Sequence, residues 1–462
     1  VAPAILHLPC HAGETLFKAF FAAHPRSSRT ERTIMAQQGR ASARVRCAEE
    51  FFPMLACMDR IVIVGAGQGA AQCVEGLRRK GYPGAITVIG EEPVLPYQRP
   101  PLSKKYLAGE LPIDRMLLRH EAFYAEQRVE MLTGRRVARL DRGRRCVHLD
   151  DGSLQAYDAL VLATGSRPRS LPLVGAEAPG VHVLRTMADA DGLRFEAAAG
   201  KNAVIIGGGY IGLETAATLR QLGMEVTVLE AADRLMNRVV AEPVSTYYHH
   251  EHTRHGVTIR CAARVIGLRT AASGRIAAVL TDAGELAADL LVVGVGVVPN
   301  DELAREAGLD CDNGILVDER CRSSDPLIYA IGDCSNHPSL HYGRRVRLES
   351  VDNAFEQAAT VAANLAGVDT VHNRVPWFWS DQYHHKMLIV GLSGGHDRMV
   401  LRGDPASHSF SCCYLREGEL IAIDTVNNAK DQMAARKLIA ARFRADPSKL
   451  ADASIALKDC GI

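Results

Sequence analysis

A chain of 462 residues with 54 Lys+Arg, 53 Asp+Glu and a net charge of +1 carries no bulk charge toward nucleic acid or a strongly acidic partner. Its 47% apolar and 23% charged residues are those of an ordinary globular protein, long enough for about three domains. No apolar run approaches the roughly 20 residues of a membrane span, and the twelve cysteines include no C-x-x-C, which argues against a metal or iron–sulfur site and fits reduced thiols in the cytoplasm.

Residues 1–57 hold seven Lys/Arg against four acids and lack strand–helix alternation. They read as an N-terminal extension, either Arg-rich like a transit peptide or an over-extended start ahead of Met58. The pattern then sharpens. Ile61 to Ala71, IVIVGAGQGAA, is a buried strand running through Gly65-Ala-Gly67-Gln68-Gly69-Ala70 into a helix. Gly65 permits the tight turn, Gly67 opens the backbone to a pyrophosphate, and Ala70 lets helix and strand pack closely. A strand from Ala85 to Ile89 follows, with Gly90 and the acid Glu91 at the position that meets a ribose. Pro100 and Pro101 then fix an extended path, with Arg99 and Lys104 on either side as cations for a flavin or as solvated loop charges.

Val137 lies in a short strand, and Tyr157 to Thr164 is a buried strand closing on Gly165. Ser166 to Ser170 reads as a linker. The nucleotide pattern then repeats. Ala203 to Ile206 leads into Gly207-Gly208-Gly209-Tyr210-Ile211-Gly212, and a strand from Glu225 to Leu229 ends on Glu230. Two such units in one chain imply two dinucleotides, FAD facing NAD(P)H.

Leu290 to Pro299 reads as a buried strand with a Gly-containing turn. Ile328 to Asp333 is a strand running into Gly332 and Asp333, an acid that suits a turn as well as a ligand. A long Ala-rich helix opens near Arg347 and ends near Leu365. Trp377 and Trp379, the two tryptophans of the chain, fall in a loop after Pro376, as core or as a flat wall for a ring system. His384 and His385 follow and read as solvated. Strands from Met387 to Thr425 and a helix from Asp431 to Phe443 complete an α+β C-terminal domain. The expected fold is α/β: two Rossmann-like domains, 58–167 with 299–375 and 168–298, plus an α+β domain over 376–462.

The motifs PYQRPPLSK (96–104), LATGSRPR (162–169), GGGYIGLE (207–214), GVGVVPN (294–300), YAIGDC (329–334), ESVDNA (349–354) and VPWFWSDQ (375–382) resemble those of NADH-dependent ferredoxin reductases. These flavoproteins serve bacterial dioxygenase and cytochrome P450 systems and have the glutathione-reductase-like fold. The resemblance implies a cytoplasmic FAD enzyme that passes electrons singly from NADH to a 2Fe–2S ferredoxin, as a monomer or homodimer. A rubredoxin reductase, or a redox signalling flavoprotein like the apoptosis-inducing factor, is the alternative.

The family's residue roles, carried over, place Glu91 on the FAD ribose, Arg99 at its pyrophosphate, Val137 at the adenine and Asp333 at the ribityl chain. Ala163, Thr164, Gly165, Arg169, Arg185, Gly332 and the backbone at Val351 complete the FAD site, with Trp377 and Trp379 flanking the ring. The turn 207–212 takes the NAD pyrophosphate, Glu230 the ribose hydroxyls, and Gly296 and Glu349 the nicotinamide end. Lys104 is expected near flavin N5, held by Glu214, which is equally suited as a first-turn helix acid. Glu230 favours NADH over NADPH, though Arg234 and Arg238 nearby weaken the point. Arg344, Arg345 and Arg347 offer a basic rim for an acidic ferredoxin.

Overall fold

Ile61 and Ile63 pack on one face of their strand, and Val62 and Val64 on the other. A strand buried on both sides needs parallel neighbours and cover above and below. The computed structural model describes residues 58–462 and supplies both; the readings for 1–57 lie outside the described residues. Arg60–Val64 sits at the centre of a five-stranded parallel sheet. Ala159–Leu162 and then Ile328–Ala330 lie on one side, Ala85–Gly90 and then Val129–Thr133 on the other. Gln68–Arg79 and Val351–Leu365 cover one face, pressed so close that a Cβ on Gly76 would stand 2.8 Å from that of Ala362. The three-stranded meander Val137–Asp141, Cys146–Leu149 and Leu154–Ala156 covers the other.

The second unit repeats the design. Asn202–Ile206 is central, flanked by Glu225–Leu229 and Thr258–Arg260 on one side and by Leu290–Val293 and Val181–His182 on the other. Its own meander is Val265–Thr270, Ile276–Thr281 and Gly284–Ala287. All five strands of this second sheet come from one continuous stretch. The first sheet takes its last strand, and its covering helix, from beyond that stretch.

The chain crosses between the two sheets twice, and the crossings pair. Ser166–Pro168, read from sequence as a linker, is a short strand hydrogen-bonded antiparallel to Val297–Pro299. Leu290 to Pro299 is accordingly two strands, broken at Gly294 and Gly296, rather than one. The Ala-rich helix starts at Val351, not near Arg347, because the Ser350 hydroxyl caps it by accepting from the Asn353 amide at 3.1 Å.

The C-terminal region is a five-stranded antiparallel sheet in the order Trp377–Gln382, His385–Gly391, Glu419–Val426, Ser409–Arg416, Arg398–Asp404. The tryptophans therefore stand on an edge strand, not in a loop. One face carries the helix Ala429–Ala440, with Val390, Cys413, Ile423 and Ile439 between. The other joins the core of the second unit through Met387, Phe410, Cys412 and Val426. The adjacent Cys412 and Cys413 simply face opposite sides.

Candidate functional site

Both Gly-rich turns bend as their sequences require. Gly65 has φ +106°, and a Cβ there would lie 2.1 Å from the Ala163 carbonyl oxygen. Gly207 has φ +113°, and its Cβ would meet the Gly294 carbonyl at 2.3 Å. At Gly212 a Cβ would strike the Gly207 carbonyl at 2.1 Å, so the helix closes on the strand only through glycine. Gly67 and Gly209, the N-caps of the two helices, have open space where a Cβ would be. Each helix thus opens at an uncrowded N-cap, and its first-turn amides, Gln68, Gly69 and Ala70 in one and Tyr210 and Ile211 in the other, lie at a helix start where no preceding turn accepts them.

Around the first turn, Gly69 abuts Ile331, and Gly332 is anchored by its amide to Gln357 Oε1 at 2.7 Å. Thr164 and Asn300 exchange two hydrogen bonds, at 2.6 and 2.9 Å. Asp333 receives the Arg185 guanidinium at 2.9 Å and the Ser166 hydroxyl at 2.8 Å, beside Gly165. Val351 opens its helix at this end. Val137 is a part-buried strand residue paired with Leu149.

Glu91 is exposed, whereas its neighbour Glu92 takes the Arg99 guanidinium at 2.5 Å and the Tyr97 hydroxyl at 2.6 Å. Arg99 also donates to the Arg185 carbonyl at 2.6 Å. The sequence reading missed Glu92, although the doublet Glu91-Glu92 was visible.

Around the second turn, Glu230 accepts from the Gly208 amide at 2.6 Å and from the Ala232 amide at 2.8 Å, so its carboxylate faces the Gly-rich loop. Arg234 donates to the Val240 and Asn237 carbonyls at 2.9 and 3.0 Å and serves its own loop. Arg238 is exposed, near Gly296. Arg169 also lies beside Gly296, with its amide bonded to the Gly296 carbonyl at 2.9 Å. That places Arg169 next to the second unit rather than in the Arg185–Asp333 cluster.

Lys104 and Glu214 join the two units. Lys104 Nζ lies 2.6 Å from Glu214 Oε2; the side chains are 19% and 2% exposed. The Ser103 hydroxyl donates to the same oxygen at 2.6 Å, and the Ser380 hydroxyl donates to Oε1 at 2.7 Å. Gln382 donates to Ser380 at 3.2 Å, and its carbonyl oxygen lies 2.8 Å from His252 Nε2. Three donors on its two oxygens offset the cost of burying the Glu214 carboxylate. Ser380 and Gln382 went unnoticed in the sequence because only the fold brings Ser380 to Glu214 and Gln382 to His252.

Trp377 and Trp379 stack at 5.4 Å between centroids on one side of the edge strand. Phe378, on the other side, meets the Tyr210 ring at 4.8 Å. Glu349 pairs with Arg347 at 2.7 Å, and Arg347 also holds the Asp333 carbonyl at 3.2 Å. Arg345 is bonded to the Val317 carbonyl at 2.7 Å. Of the expected basic rim, Arg345 and Arg347 are therefore committed to the fold, and Arg344 stands exposed. Cys73, the one cysteine of the helix after the first turn, is fully buried, and burial pushes its thiol up to about 12. A redox thiol against a flavin needs the opposite shift.

Residues 59–358 match the family described as pyridine nucleotide-disulphide oxidoreductase, and 377–461 match the reductase C-terminal family. Putidaredoxin reductase of Pseudomonas putida is 44% identical over 406 residues, 87% of this chain and 96% of that protein. Rhodocoxin reductase of Rhodococcus erythropolis is 45% identical over 399 residues, 86% of this chain and 93% of its own. The crystal structure of the covalent putidaredoxin reductase–putidaredoxin complex aligns with TM-score 0.85 at 43% identity, covering 87% of this chain and 98% of that one. This chain belongs to the pyridine nucleotide-disulphide oxidoreductase family and carries that family's reductase C-terminal domain as well.

Proposed function

We propose that this protein is an FAD-dependent NADH:ferredoxin oxidoreductase whose acceptor is a 2Fe–2S ferredoxin of an oxygenase system. The reading rests above all on the Lys104–Glu214 pair, which ties two complete nucleotide-type units together. The residues fit the groups. The glycines at 67 and 209 are open to a phosphate-bearing ligand, and the helix amides behind them are donors. Residues 58–167 with 299–375 would hold FAD, 168–298 NADH.

FAD, when bound, takes the electron pair of a hydride and gives electrons up singly. The chain supplies position and charge. Lys104 offers an ammonium for the negative charge that hydride arrival brings, and Glu214 fixes that ammonium in place. Trp377 and Trp379 present a flat wall for the ring system. Arg185 and Asp333, held to each other, would meet the sugar-like chain of the flavin. Glu230 would accept the adenosine ribose hydroxyls and repel a 2′-phosphate, and Arg234, occupied with its own loop, does not offset it.

Anaerobic titration followed by visible absorption tests the reading. The yellow bands of the purified protein should bleach rapidly with NADH and slowly with NADPH. Added 2Fe–2S ferredoxin should restore them, and rubredoxin should do so poorly. A colourless protein, or a flavin indifferent to both nucleotides, would sink the proposal; preference for rubredoxin would move it to the other acceptor class.

A further inference from the structure

His385, read from sequence as a solvated loop residue, is buried at the start of a strand. Its ring meets two groups from distant parts of the chain. Nε2 lies 2.8 Å from Glu251 Oε2, on the buried side of the helix Glu242–Arg254. Nδ1 lies 2.9 Å from the Tyr247 hydroxyl, and the same hydroxyl lies 2.9 Å from His408 Nδ1. His408 Nδ1 in turn is 3.9 Å from the other Glu251 oxygen, Oε1. One ligand atom each from Glu251, His385 and His408 falls within 4.8 Å of the others.

We propose that Glu251, His385 and His408 bind one borderline divalent transition-metal cation of the zinc class, clamping the helix Glu242–Arg254 to the C-terminal sheet. Two imidazoles and a carboxylate are the donor set such ions favour over magnesium or calcium. The donors are held in advance. Tyr247 holds His385 by Nδ1 and leaves Nε2 toward Glu251, the kind of outer partner that orients a metal ligand; at His408 the cation would replace the Tyr247 hydroxyl on Nδ1, and Asn427 fixes the His408 backbone by donating to its carbonyl at 2.9 Å. His408 keeps φ +58°, in the left-handed region that His enters more readily than most side chains.

The charged neighbours are few. Arg254 meets Glu251 Oε2 at 2.6 Å, but its side chain is 57% exposed and free to turn toward water. His384 stands outside, its ring 3.9 Å from that of His385. Oε1 of Glu251, facing His408, is the oxygen left for the cation. His408 at 50% exposure gives the ion a way in.

The test uses the FAD-loaded protein without a histidine tag, freed of metal by a chelator and titrated with Zn2+ by calorimetry. About one Zn2+ per chain should bind saturably and raise the unfolding temperature. His408→Asn, which suits a left-handed backbone, should weaken binding by more than about tenfold while NADH oxidation persists. His384→Ala should bind as the wild type does. In the unaltered protein Zn2+ should also shield His408, but not His384, from diethylpyrocarbonate, read by mass spectrometry. No saturable uptake, unchanged affinity in His408→Asn, or equal labelling of the two histidines with Zn2+ present would overturn the proposal.

Discussion

Glu214 is the residue on which the site turns. Lys104 and Ser103 reach it from the first unit, and Ser380 from the C-terminal sheet. Replacing Lys104 by Met leaves a carboxylate that is 2% exposed without its cation. The expected cost is about 3–5 kcal/mol in urea unfolding, together with slower bleaching by NADH. Ser380→Ala is milder. It strips Oε1 of its one donor and should lower stability by about 1–3 kcal/mol; an unchanged midpoint would mean that water replaces the hydroxyl. Glu230→Ala removes the acceptor that faces Gly208, and the NADPH-to-NADH ratio of kcat/KM should rise. The glycines, Lys104, Glu214 and Glu230 were legible in the sequence because their spacing is itself the chemistry. Ser380 and Gln382 were not, since Glu214 and His252 reach them only when segments more than a hundred residues apart are brought together; Glu92 meets Tyr97 and Arg99 close by, through a loop whose path no periodicity foretells.

At the scale of elements, two features carry measurable consequences. Gly76 lies inside a helix, where Ala is worth up to about 1 kcal/mol more than Gly. Here, however, the added methyl would press on Ala362 at 2.8 Å. Gly76→Ala should therefore destabilise, by about 1–3 kcal/mol, seen as a lower thermal midpoint. In the C-terminal sheet, burial pushes the Asp424 carboxyl from 3.8 up to about 7, against the hydroxyl that Tyr414 donates to it. The folded protein keeps a proton that the unfolded chain has released, so this group's contribution to stability falls as pH rises from about 4 to 7. Asp424→Asn should flatten that part of the curve of unfolding temperature against pH; an unaltered slope would place the effect elsewhere. The strands around both Gly-rich turns were readable from their apolar runs. The edge strand Trp377–Gln382 and the ribbon Ser166–Pro168 were not. Pro, Arg and Trp blur the two-residue alternation, and strand character there depends on a partner supplied by the fold.

Taken whole, the molecule brings three sheets to one ion pair, and chain order and spatial order disagree. The sheet over 181–293 is continuous in sequence, whereas the one begun at Arg60 waits for Ile328–Ala330 as its outer strand and for Val351–Leu365 as its cover. On the ribosome the later sheet therefore has all its strands before the earlier one does, although its helical face still waits for Met387 and Phe410. The earlier segment emerges with one strand edge bare and the part of one face that Val351–Leu365 will cover still wet, a state that invites aggregation. Pulse-labelled amide exchange during refolding should accordingly find protection in Asn202–Ile206 before Arg60–Val64, and deuterium kept out of both at the same moment would mean that the two assemble as one. The sheet begun at Arg60 is thus started first and closed second.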